Sequence, residues 1–136
     1  MRRSVSSSSP FEHRYGFSRA IRTGDRVLVA GTAPVPPPGE PVAATAHEQM
    51  LRCGAIAIEA LTQLGATVED VVRTRMFITD AASADEVGEA HRLVFGSAMP
   101  TATMVVVAAL LDPLWLVEIE VEAVLPGQTG RPGLSG

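Results

Sequence analysis

Pro100-Thr101-Ala102-Thr103-Met104-Val105-Val106-Val107-Ala108-Ala109-Leu110 and Leu116-Val117-Glu118-Ile119-Glu120-Val121-Glu122-Ala123 are two strand-like runs, separated by a turn at Asp112-Pro113. The second run alternates. Glu118, Glu120 and Glu122 share one face of the strand, and Val117, Ile119 and Val121 share the other. The first run, a strand over Ala102 to Leu110, does not split into apolar and polar sets. A strand of that kind needs cover on both faces. An apolar face with nothing from its own chain to cover it marks an interface.

Working outward from this pair, the elements alternate between sheet and helix. Arg3 to Ser6 gives a weak strand signal, Phe17 to Arg22 a short strand, and Arg26 to Ala30 a strand ended by Gly31. Pro34 to Val42 carries four prolines in its first five residues and reads as a surface loop. Thr45-Ala46-His47-Glu48 has the form of a capping box, so a helix opens there. Leu51, Ala55, Ile58 and Leu61 predict its buried stripe, and Gly65 its stop. Val71 to Ile78 predicts a strand. Ser83 to Phe95 predicts a second helix, with Val87, Ala90 and Val94 on one face. The order is β-β-β-α-β-α-β-β. One sheet with two helices on one face satisfies it, an α+β fold. Residues 1–125 form the domain, and 126–136, rich in Gly and Pro, read as a disordered tail.

Composition excludes several classes of function. The 136 residues carry a net charge of −4 and few aromatics. Nothing in the pattern offers the cationic stripe or stacking surface that nucleic acid requires. Cys53 is alone, so no internal disulfide forms, and no Cys/His cluster suits a metal. No signal peptide and no membrane-spanning apolar run is visible, so a cytoplasmic setting is expected and no membrane partner.

Tyr15-Gly16-Phe17-Ser18-Arg19-Ala20, Val29-Ala30-Gly31-Thr32, the Pro100-Thr101-Ala102-Thr103 segment and the Glu118 strand resemble the Rid (YjgF, L-PSP) family, over roughly residues 2 to 125. The resemblance implies a chorismate-mutase-like fold and a homotrimer that binds small metabolites in clefts between subunits. It also implies hydrolysis of reactive enamines and imines with no cofactor and no metal. It carries Glu118 onto the glutamate that positions or activates the attacking water, and places the Ala30-Gly31-Thr32 backbone against the ligand. Phe17 stands where a pocket tyrosine is common, and Met104 at a pocket-facing position.

The chain departs from the pattern at Ala102. Hydrolytic members carry an arginine there, which grips the substrate carboxylate, and a methyl group cannot replace a guanidinium fork. Arg75, which shares a strand face with Arg73, is a candidate replacement, and Arg19 a weaker one. His91 and Cys53 read as structural. Two functions follow: hydrolysis of an imine other than a 2-aminoacrylate type, or non-hydrolytic binding of a metabolite as an accessory to a biosynthetic route. Glu118 and the glycine segment favour the first, Ala102 and Phe17 the second.

Overall fold

The computed structural model describes residues 1–127. A six-stranded sheet is built from β1 (Arg2–Val5), β2 (Ala20–Thr23), β3 (Arg26–Thr32), β4 (Val71–Ile78), β5 (Thr101–Val106) and β6 (Val117–Val124). Three helices accompany it: α1 (Pro10–Tyr15), α2 (Ala46–Gln63) and α3 (Ala84–Phe95). The strand order is β1-β2-β3-β6-β4-β5. Every neighbouring pair is antiparallel except β4 and β5, the pair that α3 connects. A parallel pair needs such a crossover, because a tight turn cannot join it. The last strand therefore sits near the middle of the sheet, between β3 and β4.

Helices α2 and α3 cover one face, as the element order predicts. Val27, Val29, Met76, Ile78, Val117, Ile119, Val121 and Ala123 are buried from the sheet side. Met50, Cys53, Ala57, Ala60 and Leu61 of α2 and Val87, Ala90 and Phe95 of α3 meet them. Gly54 lets the two helices close on each other, since a Cβ there would lie 2.8 Å from a Val94 γ-carbon. The α2 stripe differs from the expected one. Ala55 is exposed and Ile58 only half-buried, whereas Met50, Cys53, Ala57 and Ala60 are buried. The inward face mixes large Met50 and Leu61 with small Cys53, Ala57 and Ala60, the latter allowing close approach to the sheet.

Thr45 caps α2 as its box predicts. Its Oγ1 accepts from the Glu48 backbone N–H at 3.1 Å and donates to Glu48 Oε1 at 2.9 Å. The last turn of α2 holds no basic residue. Arg22 and Arg3, from the neighbouring strands, donate to the Leu64 and Gln63 carbonyls at that end, where positive charge is favoured. Near the other end, Gln49 is buried and its amide is fully employed. Nε2 donates to the Ala43 and Leu114 carbonyls, both at 2.9 Å, and Oε1 accepts from the Leu116 N–H at 2.7 Å.

Three boundaries differ from expectation. The Ser-rich start holds α1, opened by Ser9 and Pro10 and closed by Gly16 at φ 78°. Phe17 consequently lies in the connection after α1, and β2 begins at Ala20. β5 ends at Val106 instead of Leu110, and it is the edge strand. Thr101, Ala102, Thr103, Val105 and Val106 are exposed, so one chain does not cover its two faces. The part of the expected tail from residue 128 onward lies outside the described residues.

Candidate functional site

The site begins at a mismatch of register. Val29 pairs with Val121 and Thr32 with Ile119, so two residues on β3, Ala30 and Gly31, stand opposite one on β6, Glu120. Such a bulge bends the strand and re-aims its backbone. The Glu118 side chain fills the space this opens. A Cβ on Gly31 would lie 2.9 Å from Glu118 Oε2 and 3.4 Å from its Cδ. Glycine is present here for the close approach of a carboxylate to backbone.

Arg19 ties the bulge down. Its Nη2 donates to the Ala30 carbonyl at 2.7 Å, the Gly31 carbonyl at 2.6 Å and Thr32 Oγ1 at 3.1 Å. Thr32, buried on the helix side, donates from Oγ1 to the Ala30 carbonyl at 2.8 Å. Burial holds the Arg19 guanidinium below its usual range, against the raising influence of Glu12 and Glu118. Burial also pushes the Glu118 carboxyl above the usual carboxylate range, with Arg19 pulling it down and Glu120 adding to the rise. Among the described residues no hydrogen bond or ion pair reaches the Glu118 carboxylate.

Beside this corner, on the face opposite α2 and α3, lies an open groove of about 430 Å³. Phe17, Ser18, Leu28, Ala30, Arg75 and Glu120 are among its walls. Glu118 is not a wall; it stands two residues further along the same face of β6. The acids that alternate along β6 have different partners. Glu120 pairs with Arg75 at 3.4 Å, and Glu122 takes Arg26 and, at 3.8 Å, Arg73. Arg75 thus reaches the groove already paired.

The remaining candidates lie elsewhere in the chain. Ala102 pairs with Thr74 and Met104 with Met76, both buried under the helices, whereas Glu118 pairs with Phe77 on the open face. Within one chain the Ala102 and Glu118 side chains therefore belong to opposite faces of the sheet. Met104 packs partly against the core. His91 is hydrogen-bonded through Nε2 to buried Thr74 Oγ1 at 2.7 Å, and burial lowers its pKa. Cys53 is buried, and desolvation with the nearby Glu118 charge pushes its thiol far up, which makes it inert. Sequence reasoning overlooked Glu12 of α1. This buried carboxylate accepts from the Ser7 N–H at 3.0 Å and from its hydroxyl, and lies within electrostatic range of Arg19. Ser9-Pro10 before it and Gly16 after it were the available signal.

Among the described residues no group of three or more acidic, His or Cys side chains could hold a metal ion, and no helix is long and apolar enough to cross a membrane. The family model described as Endoribonuclease L-PSP matches residues 8–125. An uncharacterized protein of Streptomyces coelicolor is 39% identical over 126 residues, covering 89% of this chain and 90% of that protein. A RutC family protein of Pyrococcus abyssi is 31% identical over 105 residues, covering 76% and 82%. The crystal structure of a Mycobacterium tuberculosis member of the YjgF/YER057c/UK114 family superposes with a TM-score of 0.84 at 42% identity, covering 92% of this chain and 100% of that one. On the match across its domain, and on a sheet and helix arrangement shared with solved members, the chain belongs to the L-PSP (YjgF, Rid) family.

Proposed function

We propose that this protein hydrolyses a reactive enamine or imine to a carbonyl compound and ammonia, with Glu118 as general base. The observation that carries the reading is the Glu118 carboxylate, half-buried against the Gly31 backbone, unpaired, and raised by desolvation towards the range where a base is effective. Water adds to the C=N carbon and gives its proton to Glu118. The π pair moves to nitrogen, which takes that proton back from the Glu118 carboxyl; an enamine enters the same path as its imine tautomer. The carbinolamine then loses ammonia and leaves C=O. Backbone near Gly31 holds the substrate, and Phe17 flanks it. No cofactor or metal is required.

The substrate is not of the 2-aminoacrylate type. Ala102 offers no guanidinium, Arg75 is paired with Glu120, and Arg19 is engaged by the bulge carbonyls. Losing one bidentate charged contact costs about 2–3 kcal/mol of binding. The working unit is a homotrimer in the cytoplasm, with metabolite clefts between subunits. The exposed apolar side chains of β5 and of the open face, such as Val105 and Leu28, support that assembly. The family model's description speaks of endoribonuclease. Against RNA as a partner stand the net charge of −4 and the pairing of Arg26, Arg73 and Arg75 with glutamates.

The test uses imines made in situ by an amine or amino-acid oxidase, with ammonia and carbonyl release followed. Wild type should accelerate release, and Glu118→Gln should lower turnover by ~100-fold or more, the range for a lost general base. Equal rates in the two proteins would remove the base. The accessory binding protein, which Ala102 and Phe17 favour, would then be the better reading.

A further inference from the structure

We propose that Arg19 is the positioning residue of the Glu118 site: its buried guanidinium sets the shape of the Ala30–Thr32 bulge against which the Glu118 carboxylate rests. The inference deepens the hydrolytic reading and rests on it for the meaning of the site, though not for its test.

Three observations converge on Arg19. One nitrogen, Nη2, serves three acceptors on three successive residues. Charge-assisted bonds to carbonyls are stronger than neutral ones, so this contact can hold a backbone conformation that ladder pairing has released. The Nε–H is buried and has no partner among the described residues. Buried donors are almost always paired, and an orphan in a native site calls for an explanation. A residue present only to stabilise the bulge would do better with a smaller, fully satisfied donor. The third observation is charge. Two carboxylates, Glu12 and Glu118, act on Arg19 electrostatically.

The backbone of Arg19 is anchored as well. Its N–H donates to the Val5 carbonyl and its carbonyl accepts from the Ala30 N–H, at 2.9 and 3.0 Å. The guanidinium is therefore fixed at both ends of its reach. It turns the Ala30 and Gly31 carbonyls towards itself and keeps Gly31 in close contact with Glu118. The titratable groups around Glu118 are Arg19 from the connection just before β2, Glu120 along β6 and the neutral Cys53 thiol of α2. Arg19 is the cation among them, and it favours the ionised, proton-accepting form of the base.

The experiment reads Glu118 directly and needs no substrate. The carboxyl resonance, assigned with Glu118→Gln, is titrated by carbon NMR in wild type, R19Q and R19K. In R19Q the Glu118 midpoint should rise and the Gly31 and Thr32 amide resonances should shift. R19K, which keeps the charge but not the planar fork, should restore the midpoint and leave the amides displaced. On an active imine, R19Q should lose roughly 10- to 100-fold in kcat, the scale of a misplaced catalytic group, with KM changed by less than about twofold. A folded R19Q with wild-type Glu118 titration and wild-type amide shifts overturns the proposal. If R19Q does not fold, R19K decides by the amide shifts. If neither folds, Arg19 is a stability residue only and the proposal fails. If wild type hydrolyses no imine, the hydrolytic reading falls while the NMR result on Arg19 stands.

Discussion

Gly31→Ala puts the closest contact of the site under strain. The added Cβ would stand 2.9 Å from Glu118 Oε2, whereas ordinary contacts begin at 3.4 Å. The carboxylate must retreat by about half an ångström. The backbone has no reason to object, because Gly31 does not occupy the left-handed region. Replacing such a glycine stiffens the unfolded chain and gains about 0.4–1 kcal/mol. Pushing Glu118 off its rotamer costs ~0.5–1.5 kcal/mol. These nearly cancel, so stability should change by less than about 1 kcal/mol. Function should not escape so lightly. A 1 Å misplacement costs roughly 100-fold, so half of that predicts a loss on the order of 10-fold in turnover. Thermal melts, the oxidase-coupled assay and the Glu118 carboxyl resonance would be compared in wild type and variant. A loss of ~3 kcal/mol or more would show that the backbone yields instead of the side chain, beyond the usual cost of a point mutation. Unchanged turnover with a displaced carboxylate would refute Glu118 as a positioned base.

The other predictions concern the edge strand and the buried histidine. Ala102→Arg lies on an exposed edge strand and should change stability by no more than about 0.5 kcal/mol, while turnover of carboxylated imines rises. A variant that folds, keeps the wild-type mass in light scattering and remains inert would show that more than the missing guanidinium blocks such substrates. Burial disfavours the His91 cation and holds its pKa below the ordinary imidazole value. As pH falls through 6.5 the unfolded chain takes a proton that the folded one resists, so stability falls. The raised Glu118 carboxyl works in the opposite sense, favouring the fold as it protonates. Melting curves on acidification should therefore be compared between wild type and His91→Gln. The histidine's share is the steeper loss in wild type, and parallel curves would remove it.

What could be read from the residues followed how local each signal was. The Thr45–Glu48 box fixed the start of α2, and the helix caps there as written. The alternation in Val117–Val124 told correctly which residues are buried. It could not tell that β6 inserts between β3 and β4, because strand order depends on pairings between residues far apart in sequence. The α2 stripe was right at Leu61 and wrong at Ala55 and Ile58, because hydrophobicity alone does not single out Ala57 and Ala60, which the structure buries in their place. The apolar run after Pro100 named a strand correctly but overestimated its length. Glu118 and Gly31 were singled out by resemblance, and their contact adds a physical reason for the glycine. Arg19 was weighed only as a substitute for an absent arginine. Two of its three acceptors are carbonyl oxygens 11 and 12 residues away, which every residue type supplies alike. No side-chain pattern announces them.

One buried amide has a consequence for how this protein can change. Gln49 grips the proline-rich loop at Ala43 and the loop before β6 at Leu114 and Leu116 with a single side chain. A carboxylate in its place would lose the donor, and a leucine would strand three backbone groups. The two loops are therefore mechanically coupled through one side chain. Lengthening one displaces the anchor of the other, so grafts between relatives should succeed only when both loops and Gln49 travel together.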